Sequence, residues 1–418
     1  MFKSFFWKSS IRLISTSGLV QLLAFLLLPV ISRLYSEEAI GHFTFFLSLA
    51  GVLSVVAVGR MDHAIVLAPT KNRSSLLFYS GLFFSFSFSL LLLPLIAIAL
   101  FFIEGTTYAD QNGHLWLLPV FVFFMALYNL LSAYANSCNS YGGISLSQIA
   151  QGGSNTALRV GLGLFSGSFW SLQFALLLSY IIGIFPYFRM IPRRMRITVY
   201  RMKKVIRAYH RFPLYSMPQA LVDILSGSLI AILLPLRYNA LEIGFYGMAY
   251  MLAGRPLQII ADAMSRVWFR QISERKADRK LVSGTIFRFS LYCFLIAIVG
   301  GGAFYLWGSD FISFILGVKW RPVSYIIMAM LPFFFFKFLY SIFNFIPDLF
   351  SRQISYLLLQ LFFLFLQCIL LLVGSRFLDF EQYVVVHFLW RSIETFILLF
   401  FFALIIWQSD CRQRTFEK

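Results

Sequence analysis

Residues 33–46 read RLYSEEAIGHFTFF, and residues 236–249 read LRYNALEIGFYGMA. When Tyr35 is aligned with Tyr238, Ile40 meets Ile243 and Gly41 meets Gly244. Further along the same alignment Leu49, Ala50 and Gly51 meet Leu252, Ala253 and Gly254, and Met61 meets Met264. Matched Leu, Ala and Gly arise easily by chance in apolar sequence. The Tyr-x4-Ile-Gly match, which follows the first long apolar run of each half, predicts an internal repeat.

The composition predicts an all-α integral membrane protein. Hydrophobic residues make up 60% of the 418 residues, charged residues only 12%, and the mean hydropathy is +0.80. A soluble chain carries about twice this charged fraction. Apolar runs of about 20 residues recur along the sequence, and each can cross a hydrocarbon core as a helix. Lipid offers no hydrogen-bond partners, and in a helix the backbone groups pair with each other. The short alternating segments of a transmembrane barrel are not evident.

About twelve transmembrane helices are predicted from these runs. Their approximate bounds are residues 11–32, 39–60, 75–102, 115–137, 146–166, 169–190, 213–236, 242–262, 283–306, 323–343, 355–374 and 383–407. The fifth is the least apolar, because it is rich in Gly, Ser and Gln. The first resembles a signal peptide, but its apolar stretch is long and no small-residue cleavage site follows Arg33, so we expect a retained helix.

The distribution of Lys and Arg predicts the orientation, because basic residues favour cytoplasmic loops. With both termini in the cytoplasm, inside positions outnumber outside ones by about five to one. The outside set is Arg33, Arg237, Lys319, Arg321 and Arg376. The largest inside cluster is Arg189, Arg193, Arg194, Arg196, Arg201, Lys203, Lys204, Arg207 and Arg211. The net charge of +18 therefore reflects topology and contact with anionic membrane lipid, not nucleic-acid binding.

Six helices precede the basic cluster and six follow it. The predicted domains are an N-terminal six-helix lobe (1–190), a basic cytoplasmic linker (191–212) and a C-terminal six-helix lobe (213–418). Because six is even, both lobes enter the membrane the same way round, which makes a parallel repeat with a pseudo-two-fold axis. Such repeats are typical of transporters, with the substrate site between the halves.

The four cysteines, Cys138, Cys293, Cys368 and Cys411, form no CxxC pair, so we expect neither a disulfide framework nor a metal site.

Three stretches resemble a known family. They are LLPVISRLYSEEAIGHFTFFLS (27–48), GRMDHAIVL (59–67) and EIGFYGMAYMLAGRPLQIIADAMSRVWFRQISE (242–274). They are similar to bacterial polysaccharide exporters, and more narrowly to the O-antigen flippases of the multidrug/oligosaccharidyl-lipid/polysaccharide exporter superfamily. The resemblance implies a flippase that moves an undecaprenyl-diphosphate-linked oligosaccharide from the cytoplasmic to the periplasmic leaflet of the inner membrane. It also implies a V-shaped fold with a central cationic cavity, alternating access, and a polymerase and chain-length regulator as partners of a monomeric protein.

Charged residues inside the predicted spans point to a wet surface. Each would cost on the order of 3 kcal/mol if it faced lipid. They include Arg159, Arg255, Lys337, Arg391, Asp223 and Glu394, and polar neighbours at helical spacing accompany them. The stripes comprise Asn129, Ser132 and Asn136; Gln148, Gln151, Asn155 and Arg159; Ser216, Gln219, Asp223 and Ser226; Arg255, Gln258 and Asp262; Lys337, Ser341, Asn344 and Asp348; and His387, Arg391 and Glu394.

The four cations Arg159, Arg255, Lys337 and Arg391 suit a diphosphate or an acidic sugar, because guanidinium and ammonium groups bind phosphate oxygens. Two alternatives stay open: Arg391 can pair with Glu394 one turn away, and Lys337 can snorkel along its helix. No cofactor is expected.

Energy coupling to H⁺ or Na⁺ requires a group that changes charge or binds an ion. Asp223 and Glu394 are the candidates, with His387 as a weaker one, since burial raises the pKa of a carboxylate. Pairing with a cation is an equally good role for them.

Arg60 and Asp62 in GRMD are expected to form a cytoplasmic gate or a capping pair. Pro94, Pro218, Pro256 and Pro332 allow bends, and Arg255-Pro256 places a cation at one of them.

Three other functions occur among membrane proteins of this length. A polymerase or ligase would carry a long outside loop with catalytic groups, and no such loop or catalytic motif is present. A multidrug exporter would favour acidic cavity residues for cationic drugs, whereas cations are in excess here. A flippase for peptidoglycan precursors usually has two further helices.

Overall fold

The computed structural model describes residues 18–103, 115–191, 199–210, 212–277, 283–350 and 352–416. Several predicted features lie outside these residues. They are the start of the first segment (11–17), an outside loop (104–114), part of the basic linker (192–198 and 211), the basic loop at 278–282 and the last two residues.

The described residues are α-helical with short π and 3-10 turns and contain no strand. Up to residue 243, a helix over residues 18–26 is followed by α1 (Leu28–Leu34), α2 (Glu37–Val58), α3 (Met61–Leu67), α4 (Lys71–Ile103), α5 (Leu118–Ser137), α6 (Tyr141–Phe165), α7 (Phe169–Ile184), α8 (Val199–Ala208) and α9 (Met217–Leu233). Then come α10 (Ala240–Ala249), α11 (Arg255–Ala277), α12 (Ser283–Leu316), α13 (Pro322–Phe343), α14 (Ile346–Leu349), α15 (Gln353–Phe377) and α16 (Phe380–Phe416).

All twelve predicted segments are helical where they are described, which confirms an all-α membrane protein. Among the described residues, nine helices are long and apolar enough to cross a membrane. The other three predicted spans have separate reasons for missing this criterion. The first begins before residue 18, the fifth (α6) carries many Gly, Ser and Gln residues, and the eighth is divided by a π turn and carries Arg255 and Asp262.

The repeated phrase begins a helix in both places. The Ser36 hydroxyl accepts a hydrogen bond from the Ala39 amide at 3.2 Å and caps α2. At the equivalent position the Asn239 side chain accepts from the Glu242 amide at 2.9 Å, and Glu242 accepts from the Asn239 amide at 3.0 Å. Both pairs satisfy helix donors that have no partner inside the helix. The shared phrase therefore encodes the same local start of a helix.

The chain divides into two compact units, Met1–Ile243 and Gly244–Lys418. This division lies beyond the predicted linker at 191–212, because α9 packs against α2 within the first unit. Gly51 on α2 faces Ile224 on α9, since a Cβ there would lie 3.4 Å from Ile224 Cδ1, an ordinary contact distance. The six-helix lobes with the bounds given above stay a prediction.

Each unit has its own apolar core. In the first, Phe46 lies 5.3 Å from Phe121, and Phe121 lies 5.6 Å from Tyr180, between ring centroids. In the second, α11, α13, α15 and α16 bury a cluster that includes Trp268 and Phe343, whose rings are 5.4 Å apart. These cores fix the helices that carry the polar side chains described below.

Candidate functional site

A row of polar side chains runs along α11 and the facing side of α13 in the second unit. We call Arg255, Gln258 and Asp262 on α11, with Lys337 and Ser341 on α13, the polar row. A π turn over Tyr250–Gly254 precedes α11 and places Arg255 at its first position. The backbone stays helical from α10 through this turn into α11, and Pro256 has no amide to donate to the carbonyl four residues earlier. Arg255 therefore lies where this helix is irregular.

One hydrogen bond joins the two helices of the polar row, and a second lies within α11. The Gln258 side-chain amide donates to Asp262 Oδ1 at 2.8 Å, and the Ser341 hydroxyl donates to Gln258 Oε1 at 3.3 Å. Ser341 is buried, whereas Gln258 and Asp262 are exposed. The amide is therefore anchored from the core side and open on the other side.

Two cations flank these groups. Arg255 is exposed one turn before Gln258, and no ion pair to it is found among the described residues. Lys337 lies one turn before Ser341, is half-buried, and holds its Nζ 4.7 Å from the centre of the Tyr340 ring. A cation over an aromatic face is stabilised by about 0.5–2 kcal/mol. Lys337 and Ser341 are four residues apart and share one face of α13, so the polar row has two cations, Arg255 and Lys337, against the one carboxylate of Asp262.

Arg391 lies in the core of the second unit. Its exposed fraction is 6%, and its Nη1 donates to Glu394 Oε2 at 2.6 Å and to Gln367 Oε1 at 3.3 Å. Its guanidinium also lies 5.4 Å from the centre of the Phe333 ring. The sequence left two roles open for Arg391, which are binding a diphosphate and pairing with Glu394. In this structure Arg391 pairs with Glu394. Breaking such a pair is costly because it leaves one buried charge without its partner.

His387, one turn before Arg391, is also buried. It is 1% exposed, its ring stacks on Tyr383 at 5.9 Å, and its Nδ1 has no hydrogen-bond partner in the described part of the chain. Three of the four predicted cations, Arg255, Lys337 and Arg391, belong to the second unit.

Arg159 and Asp223 belong to the first unit. The Arg159 guanidinium lies 4.8 Å from the centre of the Phe43 ring on α2. The Arg159 carbonyl accepts a 2.7 Å hydrogen bond from Tyr35, the tyrosine of the repeated phrase. On the same stripe of α6, Gln151 donates to Ser179 on α7, so part of this stripe holds helices together. Asp223 is exposed on α9.

The GRMD sequence forms a sharp bend between α2 and α3. Gly59 and Arg60 both have left-handed backbones, with φ of 58° and 57°. Arg60 Nε and Asp62 Oδ1 are both buried and without a hydrogen-bond partner among the described residues, and the two side chains form no ion pair with each other. Arg60 stands at the N-cap position of α3 without a side-chain cap bond, and Asp62 lies in the first turn of that helix. A role of the two residues as a gate or a capping pair stays a prediction.

His63 follows at this bend, outside the candidate spans. Its Nε2 lies 3.9 Å from Asp62 Oδ2. Burial, aided by the charge of Arg60, lowers the pKa of His63, although Asp62 opposes the shift. The lowered pKa favours the neutral form of the imidazole.

Two polar groups on α15 were not predicted from the sequence. Gln367 binds Arg391, and Gln360 donates to the hydroxyls of Tyr356 and Tyr340, which also bond each other. Both glutamines are buried. Their spacing of seven residues on one face of an otherwise apolar helix was the available signal.

The chain matches a known family and several solved structures. Residues 30–325 match the profile of the polysaccharide biosynthesis protein family. No curated protein sequence matches the chain. In fold it is similar to an inward-facing multidrug resistance MATE family transporter of the MOP superfamily, with a TM-score of 0.70 at 13% identity, covering 95% of both chains.

Two further structures share the fold. The lipid II flippase MurJ, in an inward closed conformation, has a TM-score of 0.72 at 14% identity, covering 97% of this chain and 90% of MurJ. A MOP superfamily transporter from Pyrococcus furiosus has a TM-score of 0.54 at 15% identity, covering 98% of this chain and 96% of that one. The chain therefore belongs to the polysaccharide biosynthesis protein family and has the fold of MOP superfamily transporters.

Proposed function

We propose that this protein flips an undecaprenyl-diphosphate-linked oligosaccharide, an O-antigen or similar surface polysaccharide unit, across the bacterial inner membrane. The direction is from the cytoplasmic to the periplasmic leaflet, by alternating access. The observation that carries the proposal is the polar row. In it, exposed Arg255 and half-buried Lys337 flank the Gln258 amide, which bonds Asp262 and the Ser341 hydroxyl. A diphosphate needs cations, and a sugar needs amide and carboxylate partners.

Arg391 and Glu394 suit a coupling role in this proposal. In the present structure Glu394 holds Arg391 at 2.6 Å. A proton taken up by Glu394 would remove its charge and release Arg391 for a phosphate oxygen. Asp223 and His387 are the other candidates, and Na⁺ is the alternative ion. Arg159 in the first unit is proposed as a further cation for the diphosphate.

The basic helix α8 supports contact with anionic lipid on the cytoplasmic side. Lys203, Lys204 and Arg207 are exposed, and no acidic residue occurs between Asp110 and Asp223 in the sequence. Each such cation is attracted to an anionic membrane surface by about 1 kcal/mol. We propose on this basis that α8 lies at the cytoplasmic headgroups, with both termini in the cytoplasm.

A multidrug exporter is the second candidate, favoured by the fold shared with the MATE transporter. The two candidates differ in charge, because cationic drugs would be repelled by Arg255 and Lys337. A drug exporter would instead depend on Asp262, the one carboxylate of the polar row.

Deleting the gene tests the proposal. The deletion strain should lose long surface polysaccharide and accumulate single lipid-linked units on the cytoplasmic face. Plasmid-borne Arg255→Ala should fail to restore the polysaccharide. Arg376→Ala, which removes an exposed arginine at the end of α15, should restore it at equal protein level. Normal polysaccharide in the deletion strain, with increased drug sensitivity, would favour the exporter.

A further inference from the structure

We infer that Gln258, Asp262 and Ser341 form a site that binds sugar hydroxyls, so that the polar row distinguishes a glycosylated lipid from a bare one. The inference rests on the proposed function and adds the part of the substrate that this site recognises.

The hydrogen bonds leave the right groups open. Gln258 uses one N–H on Asp262 and accepts one bond from Ser341, so its amide keeps a second N–H and a second lone pair. Asp262 keeps the acceptor capacity of its other oxygen. A sugar hydroxyl both donates and accepts, and it can therefore bridge the amide and the carboxylate. Both side chains are exposed.

The site is held in place before a ligand arrives. Ser341 is 5% exposed, and its hydroxyl fixes the oxygen end of the Gln258 amide, while Asp262 fixes the nitrogen end. A side chain fixed at both ends loses little rotamer freedom on binding, which favours affinity.

Charge divides the polar row into two ends. Arg255 and Asp262 are seven residues apart on α11, which is about 10 Å along a helix. A phosphate is attracted to Arg255 and repelled by the Asp262 carboxylate, whereas a neutral sugar is compatible with both. Asn344, exposed one turn after Ser341 on α13, adds a second amide near the sugar end. The arrangement fits a diphosphate at Arg255 with its first sugar at Gln258 and Asp262.

The test compares two lipids that differ only in the sugar. The probes are undecaprenyl diphosphate and the lipid-linked oligosaccharide that accumulates in the deletion strain, each titrated into full-length protein in nanodiscs. We expect the wild-type protein to bind the glycosylated lipid roughly tenfold more tightly, as two net hydrogen bonds would give. Gln258→Leu and Ser341→Ala should bring this ratio close to one, because they weaken binding of the glycosylated lipid more than binding of undecaprenyl diphosphate.

Two controls separate the roles. Ser324→Ala removes another hydroxyl from α13, one that donates to the Arg321 carbonyl, and it should keep the wild-type ratio. Arg255→Ala should weaken both lipids equally. A wild-type ratio of one, or an unchanged ratio in both folded variants, would overturn the inference and leave the flippase proposal intact. Wild-type protein that binds neither lipid would overturn both.

Discussion

Arg391 and Glu394 form a buried ion pair in the second unit, with 2.6 Å between Nη1 and Oε2 and exposed side-chain fractions of 7% and 6%. The two residues are three positions apart on α16, so one helix turn brings them together. Gln367 on α15 completes the arrangement. A charge that sequence analysis assigned to the substrate is therefore neutralised internally in this structure.

The pair makes a prediction for stability. Arg391→Met should destabilise the protein by about 3–5 kcal/mol, because it leaves the Glu394 carboxylate buried alone. The double variant Arg391→Met/Glu394→Leu should recover most of this loss, since both charges are gone. Thermal unfolding in detergent would measure both, with Arg376→Met as the exposed control, expected within about 0.5 kcal/mol of the wild type. Additive losses in the double variant would contradict the pairing.

The same pair makes a prediction for coupling. If a proton on Glu394 releases Arg391, transport by the wild-type protein should slow as pH rises. Glu394→Gln, which is neutral at every pH, should make the rate independent of pH. Asp223→Asn should keep the wild-type pH profile. The measurement is flipping of a lipid-linked oligosaccharide in proteoliposomes at several pH values, with and without Na⁺. A profile altered by Asp223→Asn alone would transfer the coupling role to Asp223.

At the bend formed by Gly59 and Arg60, we expect one substitution to raise stability and lower transport activity. A left-handed backbone costs a non-glycine residue about 1–2 kcal/mol. Arg60→Gly should therefore raise the unfolding temperature, and it should lower polysaccharide export if the guanidinium has a gating role. Asn139→Gly is the matched control, because Asn139 also has a φ of 57° but is exposed in another turn. It should raise stability and leave export unchanged; equal export in both variants would remove the gating role.

Tyr35 makes a prediction about the repeated phrase. Its hydroxyl donates to the Arg159 carbonyl, and Gly163 leaves room for its ring, since a Cβ there would lie 3.0 Å from it. Tyr35→Phe should cost about 0.5–1.5 kcal/mol, the net value of one hydrogen bond. Gly163→Ala should cost more, because the ring must move. Gly161→Ala on the same helix, where a Cβ meets nothing within 4 Å, should have little effect in the same unfolding assay.

The basic face of α8 makes a prediction about lipid. The triple variant in which Lys203, Lys204 and Arg207 are each replaced by Gln should lose a dependence of transport on anionic lipid. The wild type should be faster in vesicles that contain phosphatidylglycerol than in phosphatidylcholine alone, and the difference should shrink at high salt. The triple variant should show equal rates in both vesicles. A variant that keeps the wild-type preference would show that α8 is not the lipid contact.

Much of the architecture followed from local pattern. Apolar runs of spanning length determine helices in any bilayer, and the twelve segments are helical where described. The capping residues Ser36 and Asn239 could also be identified as helix starts, because they act on amides three residues away. The unit boundary could not, since it depends on α9 packing against α2, and long-range contacts leave little trace in one sequence.

The candidate site shows the same division. The sequence by itself determined which residues carry charge inside the membrane, because such residues are conspicuous among apolar neighbours. Only the tertiary structure decided which charges are compensated: Arg391 is buried with Glu394 and Gln367, whereas Arg255 is exposed beside Gln258. The physical reason is that helical spacing fixes the face on which a side chain lies. What that face meets is fixed by neighbouring helices distant in the sequence.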